Sequence, residues 1–187
     1  MKFTRSEITD LTKAWCVVSL VFSIASVGVL DIFKPSFGTV FLISAITVGS
    51  GFLLHELAHK AVAQHFKCTA VFQSYTAMLW ISLLLSLTGF VFVAPGGVMI
   101  QGALTPRKNG LIALAGPVTN MLLAIVFGLL KNLLGLGMIG GYGAMINAWL
   151  ALFNLIPFGP LDGQKVFAWN KGIYALALVI AGILVYF

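Results

Sequence analysis

Charged side chains are scarce in this protein. They make up 9% of its 187 residues, and the mean hydropathy is +1.05. A soluble domain carries roughly 25%, so water is not the main solvent of the fold. Acids are scarcest: Glu7, Asp10, Asp31, Glu56 and Asp162 are the whole set. Two cysteines, Cys16 and Cys68, exclude a disulfide framework, and each reads as a buried thiol acting as a small hydrophobe. The formal charge of +6 does not point to nucleic acid. The lysines and arginines sit in short stretches between apolar runs, where the positive-inside bias explains them. No repeat, low-complexity tail or soluble domain is visible, and MKFTRSEITDLTK lacks the pattern of a cleavable signal.

Uncharged runs are abundant. Residues 14–30, 35–54, 111–130, 142–161 and 172–187 approach or reach the ~17–25 residues of a bilayer-spanning helix. The expected fold is therefore a mainly α-helical, polytopic membrane bundle of about five to six transmembrane helices. It is expected to form a single domain over residues 1–187, multi-pass in the cell membrane, with the lipid bilayer as solvent.

The positive charges orient it. With the N-terminus inside, Lys34 falls outside and Lys60 and Lys67 fall inside. Residues 69–106 carry no charge at all. A single crossing there leaves six positive residues inside and five outside; an even number of crossings leaves nine inside and two, Lys34 and Lys131, outside. The positive-inside rule selects the even number. A helix near residues 78–94 and an extended return through APGGVMIQGAL satisfy it, giving a β-like element that must be paired or line a cavity. The same choice puts residues 55–59 and Asp162 on one face of the membrane.

Ionisable groups at membrane depth mark function by default, and here they cluster. GFLLHELAHKAVAQHF (51–66) holds all three histidines, with His55, Glu56 and His59 in the pattern H-E-x-x-H. Residues i and i+4 share a helix face, so His55 and His59 can hold one zinc ion. Glu56 is then placed as general base toward a water activated at that site.

Zinc needs a third protein ligand. His65 has the metzincin spacing, but Val62 stands where a helix-breaking glycine is required. An unbroken helix puts His65 roughly 80° off the His55 face and ~15 Å away, so it reads as an interfacial group beside Lys60 and Lys67. No glutamate follows Glu56, and Asp162 is the one carboxylate after His59. By elimination it is the third ligand.

Asp162 lies in FNLIPFGPLDGQKV (153–166), where Pro157, Gly159, Pro160 and Gly163 interrupt an apolar segment. Asn154 in the same stretch has two open readings: an amide for a substrate carbonyl or oxyanion, or a helix-breaking residue satisfied by backbone. In ALAGPVTN (113–120), Gly116 and Pro117 lie early in a span where small residues allow close packing; Asn120 could hydrogen-bond the zinc-bearing helix or a group behind the metal ligands, but packing is the favoured reading. Trp80, Trp149 and Trp169 read as interfacial or core aromatics.

HELAH at 55–59, AGPVTN at 115–120 and NLIPFGPLDG at 154–163 together resemble the site-2 protease family of intramembrane zinc metalloproteases, in a compact form without PDZ or CBS modules. The resemblance covers most of residues 37–166. It implies zinc on His55, His59 and Asp162, water activation by Glu56 and substrate holding by Asn154. It also implies hydrolysis of a peptide bond in or near a transmembrane segment of a membrane-protein or peptide substrate, with the active site toward the cytosol. The β-like element would lie between the HExxH helix and the AGPxxN helix and hold the substrate as an added strand.

Two other readings stand beside this one. The first is an intramembrane hydrolase of lipid or lipidated peptide. The second is a non-catalytic metal-binding membrane protein, such as a transporter or scaffold. A transporter usually shows paired repeats with ionisable groups in several spans; in this chain they are confined to two.

Overall fold

The structure is a computed structural model that describes residues 1–92 and 94–186. Val93, inside the expected helix 78–94, and Phe187, the last residue of the expected span 172–187, lie outside the described residues. Two compact units are distinguished. One comprises residues 2–53 and 71–99; the other comprises Met1, 54–70 and 100–187.

In the first unit, helix α1 spans Arg5–Val27. Thr4 caps it by accepting the Glu7 N–H at 3.2 Å, which satisfies one of the donors a helix start leaves open. Its Ala14, Val18 and Val21 are buried, and Trp15 Nε1 donates to the Ala45 carbonyl at 3.2 Å. Helix α2 (Phe37–Ser44) passes through a π-helical turn, Ala45–Gly49, into α3 (Ser50–His65). The result is one apolar 29-residue rod over Phe37–His65, ~43 Å long at 1.5 Å per residue. A π turn shifts the facing of everything beyond it and often lies beside a functional site. As expected, the helix runs through Val62 to His65 without a break.

Strands β1 (Thr69–Ser74) and β2 (Gly96–Gln101) form a two-stranded sheet. The Tyr75 N–H bonds Pro95 O, and Thr69 Oγ1 bonds Gln101 O. The strands are therefore antiparallel, and even-numbered residues of β1 turn their backbone groups away from β2. Side chains occupy that outer edge. Glu7 Oε1 accepts the Phe72 N–H at 3.0 Å, and Asp10 accepts the Ser74 N–H at 3.4 Å and its hydroxyl at 2.9 Å. Further along, Lys60 Nζ donates to Ala70 O at 2.7 Å. Glu7 and Lys60 are both buried, each 1% exposed. They are buried because strand-edge peptide groups need partners where water is absent.

Helix α4 covers Thr76–Ser86, shorter than the expected 78–94. Its 11 residues span ~16 Å, about half a ~30 Å hydrocarbon core. The uncharged stretch carries no glycine or proline until Gly89, whose φ of 81° only glycine adopts readily.

The second unit is built on α5 (Pro106–Leu134), started by a Thr105 cap and Pro106, together with α6 (Gly137–Asn154), α7 (Asp162–Trp169) and α8 (Lys171–Tyr186). Met121, Ala151, Leu155, Ala177 and Ala181 form one core cluster; Ala113, Val166 and Tyr174 form another. Helix α6 stops at Asn154 because Pro157 cannot continue it, which shortens the expected span 142–161. Among the described residues, three helices are long and apolar enough to cross a membrane: Arg5–Val27, Phe37–His65 and Pro106–Leu134. The expectation of mainly helical architecture with a small β element between α3 and α5 holds. Cys68 is buried as expected, but Cys16 lies on the outward side of α1 and is exposed.

Candidate metal centre

His55 and His59 lie one turn apart on α3, with ring centroids 4.6 Å apart and planes at 85°. Their Nε2 atoms approach to 2.9 Å. Asp162, the first residue of α7, places Oδ2 3.2 Å from His55 Nε2 and 3.1 Å from His59 Nε2. All three side chains are buried, and their donor atoms lie within 4.8 Å of one another. His65, by contrast, is exposed and stacks edge-to-face on Phe66, outside this group.

The outer ring nitrogens decide what the centre can hold. His59 Nδ1 lies 2.7 Å from the Ile112 carbonyl oxygen, and His55 Nδ1 lies 2.6 Å from Asn120 Oδ1. Both partners accept, so both Nδ1 atoms carry the proton and both Nε2 atoms turn lone pairs inward. Two lone pairs and a carboxylate oxygen converging this closely repel one another unless a cation lies between them. Tetrahedral ligands at zinc distances stand ~3.3 Å apart. The donor set therefore fits zinc, with the outer hydrogen bonds that metal-bound histidines require.

Helix α5 is shaped to this end by AGPVTN. At Gly116 a Cβ would stand 2.5 Å from His55 Nε2 and Cε1 and from His59 Nε2, so only glycine lets α5 approach the rings. Pro117 has no N–H for Ala113 O, which loosens the carbonyl ladder in the turn containing Ile112. Asn120, one turn on, reaches His55. Of the two sequence readings of Asn120, the favoured one, packing, thus gives way to the hydrogen bond with the histidine-bearing helix. The residue is fully buried, and an amide in an apolar interior must find polar partners. Gly163 serves the other side: a Cβ there would run into the backbone of Leu155 and Ile156, so the Asp-Gly pair lets α7 begin close against the end of α6.

Glu56 is buried beside His55 on α3. Lys165 Nζ lies 3.7 Å from Asp162 Oδ1, the oxygen turned away from the histidines. Asn154 is not part of the donor group: it closes α6 and donates its amide to the Leu150 carbonyl at 2.9 Å. Sequence reasoning missed the Ile112 carbonyl, which no side-chain pattern reveals, and Asn147. The Asn147 signal was a buried-type amide in an apolar run, which demands a partner.

A helical fold with a His-His-Asp donor set and an adjacent buried glutamate defines a zinc-site protein of the metallopeptidase type. The chain is 40% identical over 192 residues to "Putative zinc metalloprotease MJ0611" of Methanocaldococcus jannaschii, covering 99% of this chain and 96% of that one. It is 32% identical over 143 residues to YwhC of Bacillus subtilis, covering 65% of each, and 32% identical over 139 residues to Rip3 of Mycobacterium tuberculosis, covering 68% of this chain and 31% of that one. Both carry the same designation. No family model and no solved structure matches. The chain belongs to the zinc metalloprotease family of these relatives, the site-2 protease family that its motifs resemble, and zinc is its cofactor.

Proposed function

We propose that this chain is an intramembrane zinc endopeptidase that hydrolyses a peptide bond in or near a transmembrane segment of a membrane-protein substrate, as in regulated intramembrane proteolysis. One observation carries the reading: three buried donor atoms converge with the outer nitrogen of each histidine tied down, and a buried glutamate follows the first of them. His55, His59 and Asp162 hold the metal in this reading. Bound zinc supplies Lewis acidity and a water of lowered pKa. Glu56 takes a proton from the attacking water and passes it to the leaving amine. Asn154 serves the substrate through the amide hydrogen and Oδ1 that its bond to the Leu150 carbonyl does not use.

The apolar Phe37–His65 rod supports a site at membrane depth. His59 and His55 lie ~9 Å and ~15 Å from its His65 end, inside the apolar length. That end leads to Lys67 and, by the charge distribution, to the cytosolic side of a multi-pass fold.

A substrate helix must unwind to be cut, because its amides are hydrogen-bonded and shielded. The side chains along β1 occupy its outer edge, and among the described residues no third strand pairs with β2. By register, the peptide groups of Gly96, Val98 and Ile100 face that edge, where an unwound substrate segment adds as a strand.

Reconstitution into proteoliposomes with a panel of single-pass transmembrane segments, read by mass spectrometry, tests the proposal. Cleavage within or beside a span by the native chain, abolished in Glu56→Gln, is the expected result. Cleavage that persists in Glu56→Gln, or occurs only in lipid or soluble peptide, overturns it.

A further inference from the structure

We propose that Asn147, on α6, is a positioning residue for the metal centre that fixes which nitrogen of His55 carries the proton. The inference rests on the zinc reading of His55, His59 and Asp162.

A chain of amides with fixed polarity carries it. It starts at the Gly143 carbonyl, which can only accept. Asn147 must therefore present Nδ2 to that oxygen, at 2.9 Å. Its Oδ1 is then turned to Asn120 and accepts from Asn120 Nδ2, also at 2.9 Å. Asn120 in turn presents Oδ1 to His55 Nδ1 at 2.6 Å. The proton sits on Nδ1, and the Nε2 lone pair is delivered to the centre. Asn120 and Asn147 are both 0% exposed, so bulk water does not substitute for either link.

The polarity matters because an amide flipped by 180° keeps its shape and exchanges donor for acceptor. A flipped Asn120 would offer NH2 to His55 Nδ1. That nitrogen would then accept, and the ring proton would move to Nε2, where it removes one metal ligand. Asn147 opposes the flip, because it would set the Asn120 oxygen against its own. The side-chain bonds of Asn147 run to Gly143 O and Asn120 and not to a ligand atom, so its effect is on metal affinity and not on chemistry.

The test is zinc affinity of the purified full chain in detergent, by competition with a chromophoric chelator, together with thermal unfolding of the metal-free protein. Asn147→Leu keeps the volume and removes both hydrogen bonds; it is expected to weaken zinc binding about tenfold, the low end for outer-shell partners of metal-bound histidines. Asn147→Asp, neutral at this depth, still donates to Gly143 O and accepts from Asn120, and is expected to stay within about threefold of the native chain. Asn147→Ala replaces the leucine variant if that variant does not fold.

In an Asn120→Asp background the carboxyl faces the His55 Nδ1–H donor, which favours the ionised form; both oxygens then accept, orientation no longer matters, and Asn147→Leu is expected to cost no further zinc affinity. A merely structural Asn147 would lower affinity equally in both backgrounds and track loss of metal-free stability. That outcome overturns the proposal. So does native affinity in Asn147→Leu, or a tenfold loss in Asn147→Asp. A native chain that binds no zinc overturns instead the site reading beneath it.

Discussion

Gly116 stands against both histidine rings: a methyl group at its Cα would meet His55 Nε2 and His59 Nε2 at 2.5 Å. Alanine at this position is expected to push the rings apart and lower zinc affinity at least tenfold, as loss of ligand positioning does. Helix α5 itself gains, because alanine is a better helix former than glycine by about 1 kcal/mol. Metal analysis beside circular dichroism checks this. Zinc should fall while helicity stays.

Gly163 makes the corresponding approach on the Asp162 side, but against backbone. The carbonyls of Leu155 and Ile156 that a Cβ would meet cannot rotate aside as a side chain can. Gly163→Ala is expected to destabilise the fold by about 1–3 kcal/mol through overpacking, and to displace Asp162. A lowered unfolding midpoint in metal-free protein distinguishes it from Gly116→Ala.

Glu7 accepts the Phe72 N–H at 3.0 Å and is 1% exposed. Glu7→Ala leaves that strand-edge N–H without this acceptor, a loss of about 1–3 kcal/mol for a buried donor. Glu7→Gln keeps an oxygen in place and should lose less. Amide hydrogen exchange at Phe72, faster in the alanine variant than in the glutamine one, is the measurement.

Much of the centre was legible in the sequence because ligand-type residues are so few. His55 and His59 declare themselves by spacing, and Asp162 follows because no other acid lies beyond His59. That α3 continues to His65 was legible from Val62, which cannot break a helix. The end of α4 was not, since 78–94 carries no charge and its few polar residues, Ser82, Ser86 and Thr88, give periodicity little contrast to work with. The burial of Glu7 was not legible, because the strand edge it meets at Phe72 lies 65 positions away. Asn120 and Asn147 are 27 positions apart, and nothing in either run announces that they meet.

Zinc content of the purified chain tests the central claim most directly, compared among the native sequence, Asp162→Ala and His65→Ala. The expected result is about one zinc per chain in the native protein and in His65→Ala, and little in Asp162→Ala, as a site of three protein ligands requires. Zinc retained by Asp162→Ala, or lost from His65→Ala, would contradict the account.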